Sequence, residues 1–446
     1  MKTSQHPWFR LNLCAGVLGA IVLTAGCNSD NWKDPDYVKI TTKDGYYEVS
    51  IDYVDADPFT VGQEYGQKVL KAVPDYEKLL DSYLVDQVAW LQNVDNMPDD
   101  TYEVLIERAR EIKKQVDADY VSEIEGFASE LSGGVANVLG DGKLSEDEFL
   151  VFNLNPDVAT AVACSALAVY SVNSSSGQTT VGRNLDWYPG KEGQVGKLNA
   201  VVHAKSETYD YVAIGYLGVI GAGTGINNKG LFIANLYSPI DAEYSATGKR
   251  SVVLDIRKAL ETLSTINAAA TFFADSQKLY AYHHLMFLAD KTVARVLEND
   301  FERKRAVRTD KSVLNTGITW GFTNAVAAVN AFLLKDNYDN FHNYIPGPVD
   351  PNGEDGGNFN TARWENFRTQ LALKGNLVSF DSIREIMAYH KAGAKGMDDG
   401  DLYNAFTTQS LVYSFADNRL EAFLLPATGK FTDQPVYSAI PMPFKP

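Results

Sequence analysis

Cys164, Arg183 and Asp186 are the residues whose types and spacing best suit chemistry. Cys164 stands near the start of the run Ala163-Cys164-Ser165-Ala166-Leu167-Ala168-Val169-Tyr170. After a Gly-containing turn, a second run, Thr179-Thr180-Val181-Gly182-Arg183-Asn184-Leu185-Asp186-Trp187, carries the other two. Two β-rich runs joined this way read as a hairpin. In an antiparallel pair the end of the second strand lies beside the start of the first, so the three side chains are expected in one neighbourhood. Suppose the bond between Ala163 and Cys164 breaks. The new α-amine, ordinarily of pKa about 7.7–8.0, can then take the proton of its own thiol, ordinarily about 8.5. No separate His base is required. Asp186 would accept a hydrogen bond from the α-ammonium, and Arg183 would favour the thiolate. The plainer alternative is a buried structural Cys beside an ordinary ion pair worth about 0–1 kcal/mol.

The cysteine count bears on that choice. The chain has three Cys. Cys14 falls in an apolar stretch, 11–23, preceded by Lys2 and Arg10 and followed by Leu23-Thr24-Ala25-Gly26-Cys27. The stretch is shorter than the about 20 residues a spanning helix needs, so it reads as a signal peptide. Its small-residue end before Cys27 resembles the lipobox of bacterial lipoproteins, which implies lipidation of Cys27. Asn28 after it favours an outer-membrane destination in a Gram-negative cell, and the polar stretch 28–36 reads as a tether. That leaves Cys164 as the one thiol in an oxidising compartment, a liability unless buried or used.

The elements that must position the site follow from periodicity. A strand is expected at 46–53, and helices at 61–84, 101–116, 118–131 and 145–152. From 165 the pattern turns β-rich: 166–172, 179–186, 198–205, 211–216 and 230–236. Helices are expected at 252–263 and 266–274, then strands at 283–288, 292–298 and 303–309. A Gly/Pro/Asn/Asp-rich loop (346–358) precedes helices at 362–372 and 380–390 and a terminal hairpin, 409–415 with 419–425. Strand runs with helices in pairs between them suggest sheets covered by helices.

Over 446 residues the chain is 45% hydrophobic, ordinary globular composition, with a formal charge of -17. Such an acidic surface argues against a nucleic-acid partner, which would need clustered Lys and Arg. The six His are scattered, and no metal site or cofactor is expected. Asp141 to Glu148 imitates half of an EF-hand loop, but with Gly142 as the invariant glycine, Leu139 falls on a ligand position and offers no oxygen. Ser145 and Glu148 instead suit a capping box.

The string from Cys164 through Gly182-Arg183-Asn184-Leu185-Asp186-Trp187 resembles the cysteine Ntn-hydrolases, among them penicillin V acylases, bile salt hydrolases, acid ceramidase, N-acylethanolamine amidase and the isopenicillin N acyltransferase-like group. Glu123-Ile124-Glu125-Gly126-Phe127-Ala128, Gly225-Ile226-Asn227-Asn228-Lys229-Gly230-Leu231, Thr323-Asn324 and Thr361-Ala362-Arg363 extend the likeness in order. The resemblance implies an α+β fold, an αββα sandwich of two antiparallel sheets covered by helices. Together with the targeting segment, it divides the chain into a signal peptide (1–26), a tether and helical prosegment (27–163) and a catalytic domain (164–446), cut autocatalytically between Ala163 and Cys164. It implies Cys164 as nucleophile with Arg183 and Asp186 as orienting partners, Asn324 as an oxyanion donor, and Arg363 as support. Tyr237 would contact substrate. Trp187 and Tyr188 are candidates for an apolar acyl pocket. The implied reaction is hydrolysis of a small N-acyl amide through a thioester, with transfer to an acceptor amine as a variant. The membrane would be reached through the lipid anchor only. A different class stays open: a non-catalytic surface lipoprotein that binds acylated ligands on the same scaffold.

Overall fold

Among the described residues fifteen strands form where β-branched and small apolar residues alternate or run together, and they gather into two sheets. The computed structural model describes residues 36–92, 101–159, 163–240, 243–342, 359–391 and 400–445, so the signal peptide, Cys27, the tether up to residue 35 and the loop 346–358 lie outside the described residues. In chain order the strands are β1 (Val38–Thr42), β2 (Tyr47–Asp52), β3 (Ala163–Val169), β4 (Thr180–Asp186), β5 (Asn199–Lys205), β6 (Tyr211–Tyr216), β7 (Thr224–Asn227) and β8 (Phe232–Tyr237). They continue with β9 (His284–Ala289), β10 (Ala294–Asn299), β11 (Arg305–Arg308), β12 (Ala325–Ala328), β13 (Thr407–Ser414), β14 (Arg419–Leu424) and β15 (Ser438–Ile440). One sheet has the order β1-β2-β5-β6-β7-β8-β9-β10-β11, and the other β12-β3-β4-β13-β14-β15.

Helices cover the outer faces. Before the hairpin come α1 (Pro58–Ala72), α2 (Tyr76–Gln92), α3 (Tyr102–Lys113), α4 (Ala118–Ala128), α5 (Glu146–Asn153) and the single turn α6 (Asn155–Val158). On the nine-stranded sheet lie α7 (Val252–Thr262) and α8 (Ile266–Ala274); α9 (Phe359–Lys374) and α10 (Phe380–Met387) lie on the six-stranded one. The layers are those of an αββα sandwich. Ala166, Ala168 and Val181 of one sheet meet Ile214, Phe232, Ala234 and Phe287 of the other in the core between them. Small residues on β3 let the sheets approach closely there, and this is the seam on which Cys164 sits.

The segment before Cys164 is more than a helical cap. β2 pairs in parallel with β5, from Tyr47 beside Ala200 to Asp52 beside Lys205, so this segment supplies two strands of the larger sheet. The expected helix over 61–84 is in fact two helices, because Pro74 cannot continue α1. Asp57 caps α1, its carboxylate accepting from the Thr60 N–H at 2.9 Å. α1 crosses α4 at glycines: a Cβ on Gly62 would lie 1.9 Å from the Glu123 carbonyl oxygen, and one on Gly126 2.1 Å from that of Phe59. The capping box of Ser145 and Glu148 is present. In the loop before it, the Gly140 and Gly142 N–H groups donate to the Asp81 carboxylate at 2.6 and 2.7 Å. That loop holds an anionic side chain of its own chain.

Candidate active site

Antiparallel pairing of β3 with β4 sets Ala163 opposite Asp186 and Cys164 opposite Leu185, as the hairpin reading required. Cys164 is buried on the inner face, at the mouth of the seam. Arg183, one inward position back along β4, directs Nη2 to within 3.6 Å of Sγ and donates from the same nitrogen to the Asn235 carbonyl at 3.1 Å. Burial pushes the thiol pKa up. Arg183 opposes that most strongly, with help from the Asp186 backbone N–H and from Arg363, while the Asp186 charge adds to the rise.

The Cys164 nitrogen meets a different partner from the one expected. Its N–H donates to Asn330 Oδ1 at 2.7 Å, not to Asp186. Asn330 Oδ1 also accepts from Arg363 Nη2 at 2.8 Å, and Asn330 Nδ2 donates to the Tyr237 carbonyl at 2.6 Å. Two donors on the oxygen fix the orientation of the amide, and that leaves its NH₂ group facing away from them. Arg363, near the start of α9, ties the cluster together: Nη1 donates to the Cys164 carbonyl at 3.0 Å and to Asp186 Oδ2 at 3.4 Å, and Nη2 also donates to Asn360 Oδ1 at 3.1 Å. Asp186 Oδ1 accepts from Thr407 Oγ1 at 2.7 Å. Burial raises the Asp186 pKa against the pull of Arg363, and burial lowers that of Arg363. Asp186 thus reaches the Cys164 backbone through Arg363.

Asn324 needs correction. It lies just before β12, at φ 54°, and its carbonyl accepts from the Tyr170 N–H at 2.9 Å. That is the opposite end of β3 from Cys164, about 20 Å away at roughly 3.3 Å per residue. An oxyanion donor cannot work from there. Asn330, six positions on, occupies the site; the sequence signal that would have found it is a lone Asn inside the buried run Ala325–Leu334, where a polar side chain needs a buried partner.

Cys164 and Arg183 open onto a cavity of about 110 Å³. Leu185, Trp187, Ile214, Val219, Val252 and Val253 supply apolar wall, Tyr237 lines it as well, and Phe152, Asn155 and Asp157 close one side from the segment before Cys164. Trp187 is held by a hydrogen bond from Nε1 to Tyr83 Oη at 2.9 Å. Tyr188 is not on the wall; it stacks on Trp90 at 4.8 Å between ring centroids. Among the described residues no group of three or more His, Cys, Asp or Glu is arranged to hold a metal ion.

Asp157 is the carboxylate of this cavity. It accepts from Ser251 Oγ at 2.6 Å and from the Val252 N–H at 2.8 Å, at the start of α7. Burial pushes its pKa up to about 7. The folded state then keeps the proton up to about pH 7, whereas an unfolded Asp releases it near about 3.9. Stability falls as pH rises between those values, by about 1.4 kcal/mol for each tenfold difference in proton affinity. Asp157→Asn keeps the shape and removes the charge. Its melting temperature should exceed that of the wild type at pH 8 and match it near pH 4; an equal gain at both would refute this origin.

No family model and no curated protein matches the chain. Likeness to solved structures does exist. One is a Caenorhabditis elegans N-acylethanolamine-hydrolyzing acid amidase ortholog, at 15% identity and TM-score 0.39 over 59% of this chain and 100% of that one. Another is a mutant conjugated bile acid hydrolase from Clostridium perfringens, at 15% and 0.35 over 63% and 97%. A third is penicillin V acylase from Agrobacterium tumefaciens, at 13% and 0.32 over 58% and 82%. Values this low carry no weight for what this chain acts on; the site geometry must do that.

Proposed function

We propose that the chain is a self-cleaving cysteine amidohydrolase whose nucleophile is Cys164 and whose base is the α-amine freed when the Ala163–Cys164 bond breaks. The observation that carries this reading is the pair of contacts on one residue: Arg183 at 3.6 Å from the sulfur and Asn330 at 2.7 Å from the nitrogen. After cleavage that nitrogen becomes the amine, already oriented by Asn330. It takes the thiol proton, the sulfur attacks the amide carbonyl, and the second N–H of the Asn330 amide, whose other N–H is held by the Tyr237 carbonyl, would donate to the developing oxyanion. The proton passes to the leaving amine, its C–N bond breaks, and water then hydrolyses the thioester. The cavity beside Cys164, largely apolar, suits the acyl half of an N-acyl amide. Turnover of such amides by purified protein, with the acyl group trapped on Cys164, tests the reaction; a chain that stays intact and inert supports a binding scaffold instead.

The cut chain should not fall apart. The first piece contributes β1 and β2 to the larger sheet, and Asn153 bridges to the second, donating to the Gly218 carbonyl at 3.3 Å and accepting from the Ile220 N–H at 2.7 Å. Glu123 pairs with Arg257 across the same boundary at 2.7 Å. Both pieces should elute together in native gel filtration and separate only in denaturant, with intact masses placing the new terminus at Cys164. Elution of the second piece alone, still active, would contradict this. Export and anchoring through Cys27 form part of the same proposal. Metabolic labelling with palmitate should mark the protein, and Cys27→Ser should abolish the label; labelling that persists in the variant would rule the anchor out.

A further inference from the structure

Ala163 and Cys164 face opposite sides of the six-stranded sheet, as neighbours on a strand do. Cys164 joins the core between the sheets, whereas Ala163, fully buried, packs with Trp90, Tyr188, Phe359 and Phe406 in a small cluster of its own. The four rings come from four separate places: Trp90 from α2, Tyr188 from just after β4, Phe359 from the first position of α9, and Phe406 from just before β13. Trp90 stacks on Tyr188 at 4.8 Å and meets Phe406 at 6.3 Å between ring centroids. The cavity on which Cys164 and Arg183 open has other walls, built from Leu185, Trp187 and the larger sheet.

Both ends of the Ala163–Cys164 bond are held. After it, the Cys164 N–H donates to Asn330 at 2.7 Å and the Cys164 carbonyl accepts from Arg363 Nη1 at 3.0 Å. Before it, the rings enclose the Ala163 methyl. Arg363 joins the two clamps, because its guanidinium carbon lies 5.0 Å from the centre of the Phe359 ring. A peptide group fixed at both ends presents its carbonyl to the neighbouring sulfur in one arrangement, and such positioning speeds an intramolecular attack.

We infer that this ring cluster is the binding site for the acyl residue of the self-cut: it positions the Ala163 carbonyl for Cys164 Sγ, and it lies on the opposite face of the sheet from the cavity that receives amides for turnover. This rests on the self-cleavage reading above. In the cut, a bond forms from Sγ to the Ala163 carbonyl carbon, the C–N bond to Cys164 breaks, and the thiol proton ends on the departing nitrogen. Water then splits the thioester, leaving a carboxylate on Ala163 and the thiol on Cys164. Because α2 supplies Trp90, the ring site is complete only once the segment before Cys164 has docked.

The test follows full-length chains from cell-free synthesis by pulse-chase, with intact masses placing the new terminus at Cys164. Ala163→Gly removes the methyl that the rings enclose, and Trp90→Leu opens one wall while keeping it apolar. Each should slow the cut about tenfold or more. Alkylation of Cys164 by iodoacetamide in the chains that have been cut should change far less, because the thiol lies on the other face of the sheet. A wild-type rate of cutting in either variant would overturn the ring site and leave self-cleavage standing. An equal fall in cutting and in alkylation would overturn it too, as the mark of a general loss of structure around Cys164. Wild-type chains that stay whole would overturn self-cleavage and the ring site together.

Discussion

Cys164→Ala should leave the chain uncut at the Ala163–Cys164 bond and lower amide turnover by at least about 10³-fold, the scale on which enzymes lose a nucleophile. The change is a gentle one for the fold. The side chain is small, buried on the inner sheet face and hydrogen-bonded to the guanidinium only weakly at 3.6 Å, while the backbone N–H keeps Asn330. Circular dichroism and melting should therefore stay close to wild type while a single full-length mass replaces two. A variant that is still cut at the same bond would assign the cut to another protease. Residual turnover at wild-type level in an uncut chain would remove the nucleophile altogether.

Asn330→Asp should cost about 10²–10³ in kcat, as removal of one oxyanion donor does elsewhere. Aspartate keeps an oxygen for the Cys164 N–H and for Arg363 Nη2, but it lacks the NH₂ and sets its other oxygen against the Tyr237 carbonyl, so melting is measured alongside kcat. Asn330→Ala should lose activity and, in addition, about 1–3 kcal/mol of stability, because the buried Cys164 N–H and Tyr237 carbonyl each lose the Asn330 partner. Asn324→Gly is the informative control. Its backbone sits at φ 54°, which glycine adopts without strain, and its recorded contact to β3 is through the carbonyl. Turnover in that variant should stay within about twofold of wild type. A large loss there with little at Asn330 would overturn the oxyanion role proposed for Asn330.

The hairpin was legible because its signal is local: two β-rich runs, a turn, and antiparallel geometry suffice to bring Arg183 and Asp186 to Cys164. Arg363 was reachable only through family resemblance, since nothing in the order of residues says that α9 docks against the start of β3. Asn330 escaped notice for a related reason. β12 is Ala-Val-Ala-Ala, all buried, with neither alternation nor turn residues to mark it, and the partners of Asn330 lie far off in sequence at Cys164, Tyr237 and Arg363. β1 is a short edge strand, and β2 pairs in parallel with a strand that follows Cys164 in sequence, a crossover that periodicity cannot show.

The parallel pairing of β2 with β5 also sets an order of events for the proposed cleavage. Both strands belong to one polypeptide when they first meet, and the bond proposed to break lies between them in sequence. Assembly must come first and scission afterwards. Once severed and unfolded, the halves face a bimolecular search for a pairing that began as an intramolecular one, with β5 offering a bare edge to any passing strand in the meantime. Synthesis of the two halves from separate messages should yield insoluble protein, and heat inactivation of the mature form should be a one-way loss.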